Sequence, residues 1–161
     1  MIDTERLGWP AALVGELDHR RLKAPSIKLR SARAGAGGDG AVYCVDLRVR
    51  RPNADDYLTA TELHSVEHFL LEGLGRLLPE HFVSVGIMGC QTGFYLVFRG
   101  EGRTGVLLPV LERILQGMQQ AEDVPYASIE QCGNWRNHSL PDAQRIAREI
   151  LARRPHWLDA A

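Results

Sequence analysis

The stretch Thr59-Ala60-Thr61-Glu62-Leu63-His64-Ser65-Val66-Glu67-His68-Phe69-Leu70-Leu71-Glu72-Gly73-Leu74 decides the fold. Thr59 and Glu62 stand at capping-box spacing, in which the threonine hydroxyl accepts from a backbone N–H three residues on and the glutamate reaches back to the threonine's own N–H. Leu63, Val66, Leu70, Leu74 and Leu77 then recur at helical spacing, which predicts an amphipathic helix over about 61–78, ended by Pro79. Upstream the period changes to two. From Val42 to Val49, Tyr43, Val45, Leu47 and Val49 point to one face and Cys44, Asp46 and Arg48 to the other, the pattern of a half-buried strand ended by Pro52-Asn53. The glycine-rich run Ala34 to Gly40 before it reads as a loop between strands. Downstream, Phe82–Ile87 and Phe94–Phe98 are β-rich runs joined by Met88-Gly89-Cys90-Gln91-Thr92-Gly93. Thr104–Gln120 carries a second helical stripe, with Pro109 tolerable only near the helix start. Tyr126–Gln131 reads as one more short strand. Ser139 to Asp142 reads as the cap of a last helix through Ala143, Ile146, Ala147 and Ile150, stopping before Pro155. The expectation is one α+β domain over residues 1–161, a mostly antiparallel sheet packed with three to four helices.

Composition narrows the function. With 161 residues, 45% hydrophobic and 24% charged, the chain is ordinary globular protein rather than disordered or fibrous. Lys and Arg number 19 against 20 Asp and Glu, and without a basic excess a nucleic-acid partner is not expected. No apolar stretch approaches the ~18 residues of a membrane span, and the first residues lack the basic-then-apolar order of a signal peptide, so the expected place is the cytoplasm and the expected partner a small molecule. Cys44, Cys90 and Cys132 are an odd, widely spaced set. They argue for free thiols rather than a disulfide framework.

His64 and His68, four apart on the predicted helix, project from one face, and Glu67 borders them. Two imidazoles so placed suit one metal ion, and the carboxylate suits proton transfer beside it, although the same spacing also fits a plain polar helix face. A catalytic ion wants a third ligand and an open position. Cys132, in Gln131-Cys132-Gly133, is the leading candidate, its alternative being a buried structural cysteine; a thiolate with two imidazoles suits Zn²⁺ or Fe²⁺ rather than Mg²⁺ or Ca²⁺. Cys90, flanked by Gly89 and Gly93, is either an accessible thiol or a hairpin cysteine without a role, and Cys44 is read as structural or incidental.

In order along the chain, Leu17-Asp18-His19, Val45-Asp46-Leu47-Arg48, His64-Ser65-Val66-Glu67-His68, Met88 to Tyr95, and Gln131-Cys132-Gly133 with His138 and Leu140 together resemble the S-ribosylhomocysteine lyase (LuxS) family. The resemblance implies a carbon–sulfur lyase with Fe²⁺, for which Zn²⁺ or Co²⁺ can substitute, held by His64, His68 and Cys132. It implies Cys90 and Glu67 as the acid/base pair, His19 and Arg48 as substrate-binding residues, and a homodimer with a shared site. The reaction implied is two aldose–ketose isomerisations and a β-elimination that releases homocysteine and the precursor of the autoinducer-2 signal. The chain departs from the family where a Ser is usual (Val14), a Thr or Asn (Arg20), an Asp (Ser84), and Ser-Pro (Gly86-Ile87). Val14 and Ser84 match pocket positions, so these changes raise the alternative of a related ribosyl thioether with a different amino-acid end, Arg20 adding a cation nearby. Two further rivals are a peptidase built on the H-x-x-E-H order, whose third ligand is usually a glutamate, and a binding protein that has kept the metal but lost catalysis.

Overall fold

The structure is a computed structural model that describes residues 2–38 and 40–161; of the predicted glycine-rich loop, Asp39 lies outside the described residues. Strand β1 (Ser26–Arg33) pairs antiparallel with β2 (Val42–Arg48), β2 with β4 (Gly93–Arg99), and β4 with β3 (Phe82–Ile87), giving one four-stranded antiparallel sheet in the order β1-β2-β4-β3. Helices α1 (Ala60–Leu77), α2 (Thr104–Gln119) and α3 (Leu140–Ala152) complete the α+β architecture. Among the described residues no helix is long and apolar enough to cross a membrane.

The capping box forms: Thr59 Oγ1 accepts from Glu62 N at 3.1 Å, and Glu62 Oε2 accepts from Thr59 N at 2.8 Å. It starts α1 one residue before the predicted position. Leu63, Val66, Leu70 and Leu74 of that helix are buried in one core with Val45, Leu47, Leu96 and Phe98 of the sheet, Leu107, Leu111 and Leu115 of α2, and Ile146 and Ile150 of α3. Ser139 caps α3 by accepting from Asp142 N, as its sequence implies. Pro109 lies beyond the first turn of α2, where it leaves the Gly105 carbonyl without the usual helical donor.

Two expectations are corrected. The strand expected over Tyr126–Gln131 does not form. Tyr126 adopts φ 57°, the left-handed region that breaks an extended run at its first residue, and Ser128 O then accepts from Gln131 N and Cys132 N in a tight turn. Strand β2 is also not half-buried, because Asp46 (1% exposed) and Arg48 (3%) are as covered as their apolar neighbours. The reason is charge pairing on the sheet face turned away from the core. Asp46 Oδ2 lies 3.3 Å from both Lys28 Nζ and Arg48 Nη2, and Lys28, directly across from Asp46 in the register, also donates to Gly15 O at 2.5 Å. Glycine is required where β4 meets β2: a Cβ at Gly93 would collide with the Leu47 carbonyl oxygen.

Candidate metal centre

Helix α1 presents His64 and His68 one turn apart, and the Ser128–Cys132 turn folds back over them with the segment that leads into α3. Among the described residues, His64, His68, Cys132 and His138 each offer one ligand atom, and all four atoms lie within 4.8 Å of one another. Backbone carbonyls fix the tautomers of the two helix histidines. His64 Nδ1 lies 3.0 Å from Asn137 O and His68 Nδ1 2.7 Å from Pro125 O. A carbonyl only accepts, so both Nδ1 atoms carry the proton and both Nε2 lone pairs are left for an ion. This is the arrangement by which second-layer groups orient metal-binding histidines.

The donor distances fit a small tetrahedral ion. Metal–sulfur and metal–nitrogen bonds of about 2.3 and 2.0–2.1 Å at tetrahedral angles put sulfur and nitrogen roughly 3.6 Å apart. Cys132 Sγ lies 3.3 Å from His64 Nε2 and 3.7 Å from His138 Nε2. A mixed set of imidazoles and a thiol selects a transition metal over Mg²⁺ or Ca²⁺. The His138 imidazole is pushed down from its ordinary value to about 4, first by burial away from water and then by the neighbouring His64 and His68, so it is neutral near pH 7.

In the sequence, His138 stands out only as part of a motif. Its signal was its position six residues after Cys132 and just before the Ser139 cap. The backbone fold of the Ser128–Cys132 turn brings Cys132 in.

The remaining candidates are not among these four donors. Neither Cys90 nor Glu67 belongs to the four-residue group; Glu67 is half-buried on α1 and Cys90 is exposed. Cys90 Sγ sits 3.0 Å from Thr92 Oγ1 and 4.0 Å from Arg48 Nη1, and Arg48 donates to Thr92 Oγ1 at 2.7 Å. The thiol is thus tied to the Lys28–Asp46–Arg48 network on the outer face of the sheet. Among the described residues, the buried atoms Asp46 Oδ1 and Arg48 Nε have no hydrogen-bond partner there. Ser84 is exposed on that same face, paired in register with Val97. His19 is exposed in a turn, and Val14 is half-buried with its side chain against the core. Arg20 is chelated by Asp18 at 2.6 Å, so the cation expected to be added near the pocket already has its counter-charge.

The chain is similar to known proteins over most of its length. The S-ribosylhomocysteinase (LuxS) family profile matches residues 15–161. An S-ribosylhomocysteine lyase of Dichelobacter nodosus is 43% identical over 141 residues, covering 88% of this chain and 90% of the relative. Proteins of the same description from Halobacillus halophilus and Helicobacter pylori are each 38% identical, over 143 and 141 residues, covering 89% and 88% of this chain and 92% and 89% of their own lengths.

Proposed function

The chain belongs to the S-ribosylhomocysteinase (LuxS) family, and on that premise we propose that it is a metal-dependent carbon–sulfur lyase that cleaves S-ribosylhomocysteine. The observation that carries this reading is the convergence of His64 Nε2, His68 Nε2 and Cys132 Sγ, with both histidine tautomers fixed from behind. These three donors hold the ion, Fe²⁺ by preference, with Zn²⁺ or Co²⁺ able to substitute. The cysteine among them also speaks against the peptidase reading, whose third ligand is usually a glutamate. The bound ion supplies Lewis acidity toward the sugar's carbonyl oxygens.

The chain's own residues move the protons. Cys90 Sγ and the Glu67 carboxylate take and return protons at the ribose carbons and oxygens, carrying the carbonyl from C1 to C2 and then to C3. Removal of the C4 proton then forms a C4–C5 double bond, and the C5–S electron pair leaves as homocysteine thiolate, which takes up a proton. The products are homocysteine and the enol of a dihydroxypentanedione. No net oxidation or reduction occurs. The Arg48 guanidinium beside Cys90 balances charge that develops at the sulfur, and His19 and Arg48 hold substrate, with Val14 and Ser84 lining its amino-acid end.

The active unit is a homodimer. Cys90 is tied to residues on the sheet face that the helices leave free, while the metal donors gather on α1 and the 125–138 segment. Orphaned polar atoms at Asp46 and Arg48 and the exposed Ser84 suit a face that is completed from outside the chain. A second copy, packed against this face, would bring its own metal centre to Cys90. The test is anaerobic purification, elemental analysis and a thiol-release assay on S-ribosylhomocysteine. Free homocysteine at a rate that tracks metal occupancy is expected, and metal-replete protein that releases none would overturn the reading.

A further inference from the structure

Between the Arg48 guanidinium and the Cys90 sulfur stands one hydroxyl that the proposed function leaves unused. Thr92 is 1% exposed, and its backbone is held in place. Its carbonyl accepts from Val49 N at 2.8 Å and Arg50 N at 3.0 Å, which clamps it to the end of β2, and Gln91 at φ 62° turns the chain between Cys90 and Thr92. The β-branched side chain adds stiffness at χ1. Thr92 Oγ1 lies 2.7 Å from Arg48 Nη1, 3.0 Å from Cys90 Sγ and 3.8 Å from Met88 Sδ, whereas Arg48 Nη1 itself stays 4.0 Å from the Cys90 sulfur.

The available donors and acceptors decide where the one hydroxyl proton goes. A guanidinium only donates, so Thr92 Oγ1 accepts from Arg48 and keeps its proton for a sulfur. The Met88 thioether is the more distant sulfur and a weak acceptor. Cys90, in the state that takes a proton from substrate, has no proton of its own and can only accept. The hydroxyl therefore donates to Cys90 Sγ in a charge-assisted bond, and Arg48 at its back polarises it. Once the sulfur has taken up a substrate proton, the Thr92 proton still occupies the line between them. The new S–H is then turned to the exposed side of Cys90, from which it is returned to substrate. The Thr92 proton stays on Oγ1 throughout.

We propose that Thr92 is a positioning residue that carries the influence of Arg48 to Cys90 and aims the sulfur's proton at substrate. The inference rests on the reading of Cys90 as a proton carrier.

The test is thiol release by the metal-loaded parent, Thr92→Val, Thr92→Ala and Thr92→Ser. Valine keeps the branched shape without the hydroxyl, and alanine removes the same hydroxyl should valine fail to pack. Both should lower kcat by about 10- to 100-fold, the range for losing a hydrogen bond to a charged group, with KM within about threefold of the parent and metal content unchanged. Thr92→Ser should recover most of the rate. Arg48→Met should cost far less in kcat when made in Thr92→Val than in the parent, because Arg48 reaches the sulfur through this hydroxyl. A kcat within about twofold of the parent in the hydroxyl-free variants, a Thr92→Ser as slow as they are, or Arg48 and Thr92 losses that simply multiply would each overturn this inference while leaving Cys90 in its role. Near-parent turnover in Cys90→Ala would overturn the Cys90 reading and this inference with it.

Discussion

His64 and Cys132 on the one hand and Cys90 and Glu67 on the other are read as doing different work, and single substitutions separate them. His64→Ala or Cys132→Ala removes a donor from the cluster and should strip most of the metal, seen by elemental analysis. Cys90→Ala and Glu67→Gln leave every donor in place. They should retain parent-like metal content while turnover falls by a factor of about 10² to 10⁴ in the thiol-release assay. Metal loss in Cys90→Ala would move that cysteine into the coordination sphere, and near-parent turnover would remove it from the chemistry. At Arg48, truncation to Met removes the guanidinium beside Cys90 and leaves Asp46 buried with Lys28 alone. A rate loss of roughly 10²-fold is expected, together with a stability loss of about 3 kcal/mol in urea unfolding. A rate loss without a stability loss would show that the buried pair contributes little to folding.

At the scale of elements, helix α1 carries both histidines and depends on its cap. Thr59→Ala deletes the hydroxyl that accepts from Glu62 N and should cost about 1 kcal/mol, a fall of roughly 2–4 °C in Tm for a chain of this length. A Tm within a degree of the parent would show that packing alone starts the helix. The entry to α2 is held by charge. Glu101, 5% exposed, accepts from the Arg103 backbone N–H and pairs with its guanidinium, and the Arg103 side chain holds the Glu101 carboxyl below its ordinary value of 4.5. A carboxylate with a lowered folded-state pKa contributes stability above its unfolded value and loses it as pH falls through the folded one. The Tm gap between parent and Glu101→Gln should therefore be present at pH 7 and close as pH falls below about 4.5. A gap that persists at pH 3 would assign the effect to packing instead of charge.

For the whole molecule, the separation of Cys90 from the metal donors makes a strong claim about assembly. Solution mass should be that of a homodimer. Cys90→Ala and His64→Ala chains are each expected to be inactive, but in the proposed assembly a mixed dimer would pair the intact Cys90 of one chain with the intact donors of the other. Mixing and re-equilibrating the two variants should restore about a quarter of parent activity, because half the dimers are mixed and each has one whole site. No recovery from a verified mixed dimer would mean that each chain completes its own site.

Local rules were enough for much of this protein. The capping box and 3.6-residue period gave α1 within one residue, alternation gave β2, β-rich composition gave β3 and β4, and the Ser139 cap gave α3, because each signal is written in neighbouring residues. Ordered motifs likewise marked His64, His68 and Cys132, which the fold brings together. Long-range contacts decided the rest. The charged face of β2 is buried because Lys28, across the sheet from Asp46, pairs with it, and no window around Asp46 contains Lys28. Residues 126–131 have strand-like composition but turn at Tyr126, where the chain brings Cys132 to helix α1. His138 joins the cluster through Ser65, 73 positions earlier in the chain. Sequence determined which side chains could do the chemistry, and tertiary structure decided which of them meet, because a hydrogen bond or a ligand set depends on distance in space and not on distance along the chain.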